Sequence, residues 1–157
     1  MLPVPVELFS LFVPGIPVAK GSKRAFASKG RAWCVETNEA KQRPWVSAIR
    51  EAVGPRITGG PTRDAVDVRM TFFFSRPRSH YNRRGALLPS APQVHAHKPD
   101  VDKLARCVLD ALTGLVYVDD SQVKLLSVGR YWSEPGGGPG MIPGMGLAVI
   151  AHKEAGE

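Results

Sequence analysis

Apolar and polar residues alternate with a period of two along several short stretches of this chain, and that pattern predicts β-strands. It is clearest in residues 64–75, where Val66, Val68 and Met70 fall on one face and polar residues such as Asp67 and Arg69 fall on the other. Shorter apolar stretches predict four more strands, at residues 7–15, 32–36, 124–133 and 147–153.

Two segments have the spacing of helices. Residues 37–54 end at a Gly-Pro pair. Because a proline is tolerated only in the first turn of a helix, Pro44 predicts that this helix begins near Gln42. Residues 101–113 place apolar side chains along one helical face, and Gly114 follows at the position where helices commonly end.

The segments between these elements predict how the chain is organised. Residues 115–118 favour a short strand or an extended link, residues 76–98 form a long loop with four arginines and no acid, and residues 134–146 form a Gly/Pro-rich connector. The order of elements predicts one domain over residues 1–157. We expect an α/β (α+β) fold in which a small mixed β-sheet is flanked by helices.

The surplus of positive charge narrows the kinds of partner that the chain is expected to bind. The chain has 157 residues, with 21 Lys and Arg against 14 Asp and Glu, and a formal net charge of +7. Such a surplus is typical of proteins that bind nucleic acid, and less often of those that bind an acidic membrane surface or partner. A basic composition without any specific partner is the alternative.

Membrane and disulfide chemistry are not indicated. No apolar run approaches the roughly 20 residues that cross a bilayer. Cys34 and Cys107 form no CxxC pair, which excludes a zinc ribbon, although a single disulfide is conceivable. Because nothing in the sequence marks secretion, we expect a cytoplasmic protein with reduced thiols and no membrane partner.

The most informative segment is KPDVDKLARCVLDALTGLVYVDDSQV, residues 98–123, which gathers five aspartates in a basic chain. Asp100 and Asp102 stand at a predicted helix start, and Asp119 and Asp120 follow after the chain turns back. Carboxylates brought together repel one another, and a divalent cation such as Mg²⁺ relieves that repulsion. The other interpretation is a helix cap at Asp100, an ion pair between Asp102 and Arg106, and a solvated turn.

The same segment resembles the signature of the RusA family of Holliday-junction resolvases. The family pattern runs K-P-D-x-D-N-L, then L-D-A-L, then a glycine with an apolar run, then D-D-x-Q-[IV]. This chain has KPDVDKL, LDAL, TGLVYV and DDSQV in the same order and spacing. It departs from the family at Lys103, where the family has asparagine, and at Arg106, where the family usually has lysine.

The resemblance implies a fold, an activity and a set of site residues. It implies an intertwined homodimer that acts as a structure-selective endodeoxyribonuclease on four-way DNA junctions. The cofactor implied is Mg²⁺, with Mn²⁺ as a substitute and no small-molecule cofactor. The implied metal ligands are Asp100, Asp102, Asp119 and Asp120. The implied catalytic residues are Asp100, Asp102, Asp120 and Arg106. The implied location is the bacterial cytoplasm, for a chromosomal or a phage-borne gene.

The basic segments predict where the DNA lies. Phosphate contacts position DNA on a protein and make its binding salt-dependent. The predicted DNA-binding residues are Lys20, Lys23, Arg24, Arg76, Arg78, Arg83, Arg84, Lys98 and Lys103. Three alternatives stay open: a metal-dependent nuclease of other branched DNA, a non-catalytic junction-binding module, and a domain that binds acidic proteins.

Overall fold

The computed structural model describes residues 2–134 and 141–156. Within these residues the longer regular elements are two α-helices and six strands. In chain order they are β1 (Val4–Pro14), β2 (Lys23–Ser28), β3 (Arg31–Glu36), α1 (Glu39–Val53), β4 (Ala65–Phe74), α2 (Val101–Leu112), β5 (Val123–Trp132) and β6 (Gly144–Lys153).

Four strands form one mixed sheet in the order β1-β6-β4-β5. β6 pairs antiparallel with both β1 and β4, whereas β4 and β5 run parallel. Parallel neighbours need a long crossover, and here the crossover carries the basic loop and α2. β2 and β3 form a separate antiparallel hairpin. The predicted α+β fold with a small mixed sheet is therefore confirmed.

The core lies between one face of the sheet and the two helices. On β4 the predicted alternation holds, since Val66, Val68 and Phe72 are fully buried. The apolar stripe of α2, including Leu104 and Val108, is also fully buried. β4, with its period of two, and α2, with its helical period, thus bury their apolar faces in the same core.

One acidic side chain of β4 lies on the opposite face and is nevertheless buried. Asp67 is 7% exposed, and its carboxylate contacts Lys124 Nζ of β5 at 2.9 Å and His152 Nε2 of β6 at 3.0 Å. Burial alone would raise the pKa of Asp67, but these two partners outweigh it and hold the pKa below its ordinary value. Three neighbouring strands are joined at this point.

Several predicted element bounds were wrong, each for a local reason. α1 begins at Glu39 rather than near Gln42, because the Asn38 carbonyl accepts from the Lys41 and Gln42 amides and closes a turn before Pro44. Residues 115–118 form a turn rather than a strand, and that turn packs back on the end of α2.

The hairpin and the connector also differ from the sequence prediction. β2 was not predicted as a strand, because every residue of it is exposed and no apolar alternation marks it. β6 begins at Gly144, inside the predicted connector 134–146. Residues 135–140 of that connector lie outside the described residues.

The two cysteines do not form the conceivable disulfide. Cys34 lies exposed on β3, and Cys107 lies buried on α2. Burial raises the pKa of the Cys107 thiol to about 11, so this thiol stays protonated at neutral pH. In the described part of the chain, no helix has the length and apolar character to cross a membrane.

Candidate active site

The start of α2 presents two exposed carboxylates. Asp100 occupies the N-cap position, yet its side chain makes no capping hydrogen bond, so the helix-cap interpretation of this carboxylate is wrong. Its nearest cation is Lys103, whose Nζ lies 3.7 Å from Asp100 Oδ2. Asp102 follows in the first turn and is exposed as well. Both carboxylates are free to bind a ligand from solvent.

Asp102 shares a shallow cavity with Arg106. The cavity has a volume of about 250 Å³, and it lies between α2 and the β5 residues Leu126 and Val128. The other interpretation of this segment paired Asp102 with Arg106. Among the ion pairs of the described residues, this pair does not occur. A carboxylate and a guanidinium therefore open on the same solvent-filled space.

Arg130 of β5 fixes the segment that leads into α2. Its Nε donates to the His95 carbonyl at 3.1 Å, and its Nη1 donates to the Pro99 carbonyl. The peptide between Lys98 and Pro99 is cis. The His95 ring is buried and packs 4.1 Å from the Trp132 ring, between centroids. Burial, with the nearby Arg130 charge, lowers the pKa of His95. Arg130 thus ties the backbone beside Asp100 to the rigid sheet.

A second cavity, of about 400 Å³, is lined by Asp100. It is framed by two backbone segments joined by a hydrogen bond of 3.0 Å from the Lys20 amide to the Lys103 carbonyl. Its lining residues are Ala19, Lys20, Gly21, Ser22, Thr37, Asn38, Lys98, Pro99, Asp100 and Lys103. Three lysines and one carboxylate in this wall make it suited to an anionic ligand that also carries a metal ion.

Lys20 is already engaged at the edge of that cavity. Its Nζ lies 2.7 Å from Asp110 Oδ2 and 3.7 Å from Glu36 Oε2. The hydrogen bond to Asp110 raises the pKa of Lys20, and a hydrogen bond from Gln42 lowers the pKa of Glu36. Asp110 therefore holds Lys20 in place on the wall.

The second acidic pair stands in a tight turn before β5. Asp119 Oδ1 accepts from the Ser121 amide at 2.8 Å, which lowers the pKa of Asp119. Gln122 completes this capping box and donates from Nε2 to the Thr62 and Asp64 carbonyls, at 3.0 and 2.9 Å. Gln122 was not predicted to matter, and only the glutamine of the DDSQV motif hinted at it. Asp120 is exposed beside these contacts.

Within one chain the two acidic pairs lie toward opposite ends of β5, and their joint role as metal ligands stays a prediction. Arg130, near the end of β5, contacts the residue before Asp100, whereas Asp120 lies just before β5 begins. The seven residue steps from Val123 to Arg130 span about 23 Å of strand. Consistently, no three His, Cys, Asp or Glu side chains form a metal-sized cluster in the described residues. α2 keeps the two pairs apart because it runs antiparallel to β5.

The carboxylates of each acidic pair still suit Mg²⁺ as ligands. This ion typically takes one or two carboxylates, and water and phosphate oxygens complete its octahedron. Asp100 and Asp102 are both exposed; Asp100 lines one cavity with Lys98 and Lys103, and Asp102 lines the other with Arg106. Asp119 has one oxygen committed to a backbone amide, so Asp120 is the freer donor of its pair.

Seven of the nine predicted DNA-binding side chains are exposed, and two are not. Arg76 has a side chain only 3% exposed, paired with Glu134 at 2.8 Å and placed 5.3 Å from the Trp132 ring. It also donates to the Pro92 carbonyl, so it anchors the basic loop from within. Lys20 is partly exposed. The exposed residues are Lys23, Arg24, Arg78, Arg83, Arg84, Lys98 and Lys103.

Comparison with known proteins gives two findings. The sequence profile of the family described as "Endodeoxyribonuclease RusA" matches residues 14–137, which include the hairpin, both helices and both acidic pairs. The chain is also 31% identical over 135 residues to "Uncharacterized protein YqaN" of Bacillus subtilis (strain 168). That alignment covers 82% of this chain and 91% of the relative.

Proposed function

We propose, from the premise that this chain belongs to the endodeoxyribonuclease RusA family, that it cuts four-way DNA junctions by paired nicks with Mg²⁺ as cofactor. The observation that carries the proposal is the pair of uncapped, exposed carboxylates at the start of α2. Asp100 and Asp102 open on cavities that also expose Lys98, Lys103 and Arg106. Acidic ligands for a cation beside basic groups for phosphate are the parts that phosphodiester hydrolysis needs.

Each side chain has a distinct task in this proposal. Asp100, Asp102, Asp119 and Asp120 are the candidate metal ligands. When bound, Mg²⁺ or its substitute Mn²⁺ would supply a Lewis acid and lower the pKa of a coordinated water. Arg106 and Lys103 stabilise negative charge on the phosphate, and Arg106 does so as a fork of donors that cannot give up a proton at neutral pH.

The separation of the two acidic pairs supports a dimeric enzyme. Asp120 lies beside the first residue of β5, whereas Asp100 lies near the last residues of that strand. One chain therefore does not present both acidic pairs to one phosphate. We propose that the second copy of a two-fold dimer presents its Asp119 and Asp120 to the first copy's Asp100 and Asp102. The symmetry of such a homodimer would also match the symmetry of a four-way junction and give one nick in each of two strands.

The exposed basic residues form the proposed DNA surface. They come from the hairpin, the long loop and the start of α2, and all of them can neutralise phosphates. Arg76 is left out of this surface, because its guanidinium is buried against Glu134 and Trp132. We place the enzyme in the bacterial cytoplasm, where branched DNA arises in recombination and repair.

The test is nicking of a labelled four-way junction with Mg²⁺, compared with a linear duplex of the same sequence. We expect symmetric nicks on the junction alone, lost in EDTA and in Asp102→Asn. Glu39→Gln, an exposed acid at the start of α1, is the matched control and should nick normally. Tight junction binding without cleavage in any metal would instead indicate a non-catalytic module. Faster cutting of flaps or forks would indicate another branched substrate.

A further inference from the structure

The hairpin of β2 and β3 has two different faces. In an antiparallel pair, directly opposite side chains point to the same side. Phe26 lies opposite Trp33, and the flanking pairs are Arg24 with Val35 and Ser28 with Arg31. These six residues form what we call the aromatic face: Arg24, Phe26, Ser28, Arg31, Trp33 and Val35. The opposite face carries small residues, among them Ala25, Ala27, Ala32 and Cys34.

Two aromatic rings stand in solvent on this face. The Phe26 and Trp33 rings are nearly parallel, with centroids 6.0 Å apart and an angle of 21° between their planes. They are 45% and 47% exposed, whereas Trp45 and Trp132 are 3% and 9% exposed. Large aromatic side chains are normally buried, so a stacked and exposed pair indicates a binding surface.

The charges around the rings are all positive. Lys23, Arg24, Lys29 and Arg31 belong to the hairpin, and all four are exposed. The acid of the hairpin, Glu36, is turned into its base, where it accepts from Gln42 Nε2 at 2.5 Å and from the Gly21 amide at 3.2 Å. A second copy of this face would meet like charge, whereas a polyanion would meet opposite charge.

The hairpin rises from the wall of the cavity beside Asp100. Ser22 and Thr37, which flank its two strands, line that cavity and are joined by a hydrogen bond of 3.1 Å between Thr37 N and Ser22 O. Three residue steps separate Glu36 at the base from Trp33, which is about 10 Å of strand. Trp33 therefore lies only about 10 Å along the hairpin from the edge of the cavity that Asp100 lines.

We propose that the aromatic face is a stacking platform for unpaired bases of a DNA strand. Phe26 and Trp33 stack on bases, and Arg24 and Arg31 contact the phosphates on either side. Alternating aromatic rings and cations are how proteins hold unpaired strands without reading sequence. The inference rests on the proposed function only in taking DNA as the ligand, and it adds that opened bases next to the cut site are bound.

Trp33 makes the test direct, because the other two tryptophans are buried. Tryptophan fluorescence of the native protein is recorded while an oligothymidylate, and separately a four-way junction, is added in EDTA. We expect quenching by both ligands. Binding is also measured by anisotropy of labelled oligothymidylate. Phe26→Ser and Trp33→Ser should each weaken it roughly ten- to hundredfold, and Trp33→Phe should retain most of it.

The control variant is Val4→Ser, which exchanges an exposed apolar strand residue of β1 and should bind as the native protein does. Sedimentation of each variant follows the oligomeric state, and urea unfolding verifies that each variant folds. Unchanged tryptophan fluorescence with saturating DNA, or native affinity in both serine variants, would overturn the inference. So would conversion of a native dimer to monomer by Trp33→Ser, because the face would then be an interface between copies.

Failure of the inference is distinguishable from failure of the proposed function. A junction that is nicked normally by both serine variants, with native affinity, leaves the nuclease intact and removes the platform. Quenching and weakened binding in the variants, with no nicking by the native protein in any metal, keep the platform and remove the nuclease. No binding of either DNA at low salt overturns both.

Discussion

Gln122 offers the sharpest test of how the turn before β5 is held. Its side chain makes four hydrogen bonds: Nε2 donates to the Thr62 and Asp64 carbonyls, and Oε1 accepts from the Val118 and Asp119 amides, all between 2.9 and 3.0 Å. The two amides lie at exposed positions, where water can replace the glutamine oxygen. The two carbonyl contacts are partly buried and are harder to replace.

The magnitude follows from that difference. A typical hydrogen bond contributes about 0.5–1.5 kcal/mol to the free energy of unfolding. If only the two carbonyl contacts count in full, Gln122→Met should lower the free energy of unfolding by about 1–3 kcal/mol. Gln122→Glu should cost more at pH 7, because a carboxylate oxygen then faces two carbonyl oxygens.

The glutamate variant carries its own pH signature. Repulsion disfavours the ionised form in the folded state, so the folded-state pKa of this glutamate should rise above its unfolded value of about 4.3. Its stability relative to the native protein should therefore recover as the pH falls toward 4, where the carboxyl group is protonated and can donate. Urea unfolding followed by circular dichroism at pH 7 and pH 4 measures this.

A matched control is Gln93→Glu, since Gln93 is exposed in the basic loop. It should change the free energy of unfolding by less than about 0.5 kcal/mol at either pH. The reasoning would be refuted if the methionine and glutamate variants of Gln122 lost equal stability at pH 7, or if neither differed from the control.

Other expected outcomes concern Arg130, which anchors the backbone beside Asp100, and Asp67, which joins three strands. Arg130→Met should reduce junction nicking more than Arg69→Met, an exposed arginine on β4, because the carbonyl anchors beside Asp100 are lost; equal effects would argue against a positioning role. Asp67→Asn should lower the free energy of unfolding by about 1.5–3 kcal/mol at pH 7, measured in urea, and more than Lys124→Met does. The difference between native protein and Asp67→Asn should hold above about pH 5 and shrink below about pH 4, because a depressed folded pKa stabilises only above the unfolded value of about 3.9. A difference that grew on acidification would contradict this.

Elements that bury one apolar face could be predicted from the sequence, whereas elements without a buried apolar face could not. β4 and α2 each have an apolar stripe of the right period, so their place in the core followed. β2 is exposed throughout, and its positive charges indicated a DNA contact rather than a strand. The start of α1 depended on one carbonyl that accepts two amides, which no pattern of side chains reveals.

The candidate site divides in the same way. Residue types and spacing were enough to single out Asp100 and Asp102, because both follow from a helix start. They were not enough to place Asp120, because periodicity assigns faces and not the direction in which α2 runs relative to β5. Arg76 shows the opposite error. It was counted as a surface charge, but its side chain is buried and is paired with Glu134, 58 residues away in the chain.

The sheet order has a consequence for how the chain folds as it is made. β1 forms its ladder with β6, so the first strand waits for Gly144–Lys153 before it can pair. Until then its apolar residues, among them Phe9 and Val13, are without their strand partner. Contacts between segments so far apart slow folding and leave a strand edge open on the ribosome. We therefore expect that a nascent chain stalled before residue 144 binds chaperones through β1 and that release of the full chain ends this binding.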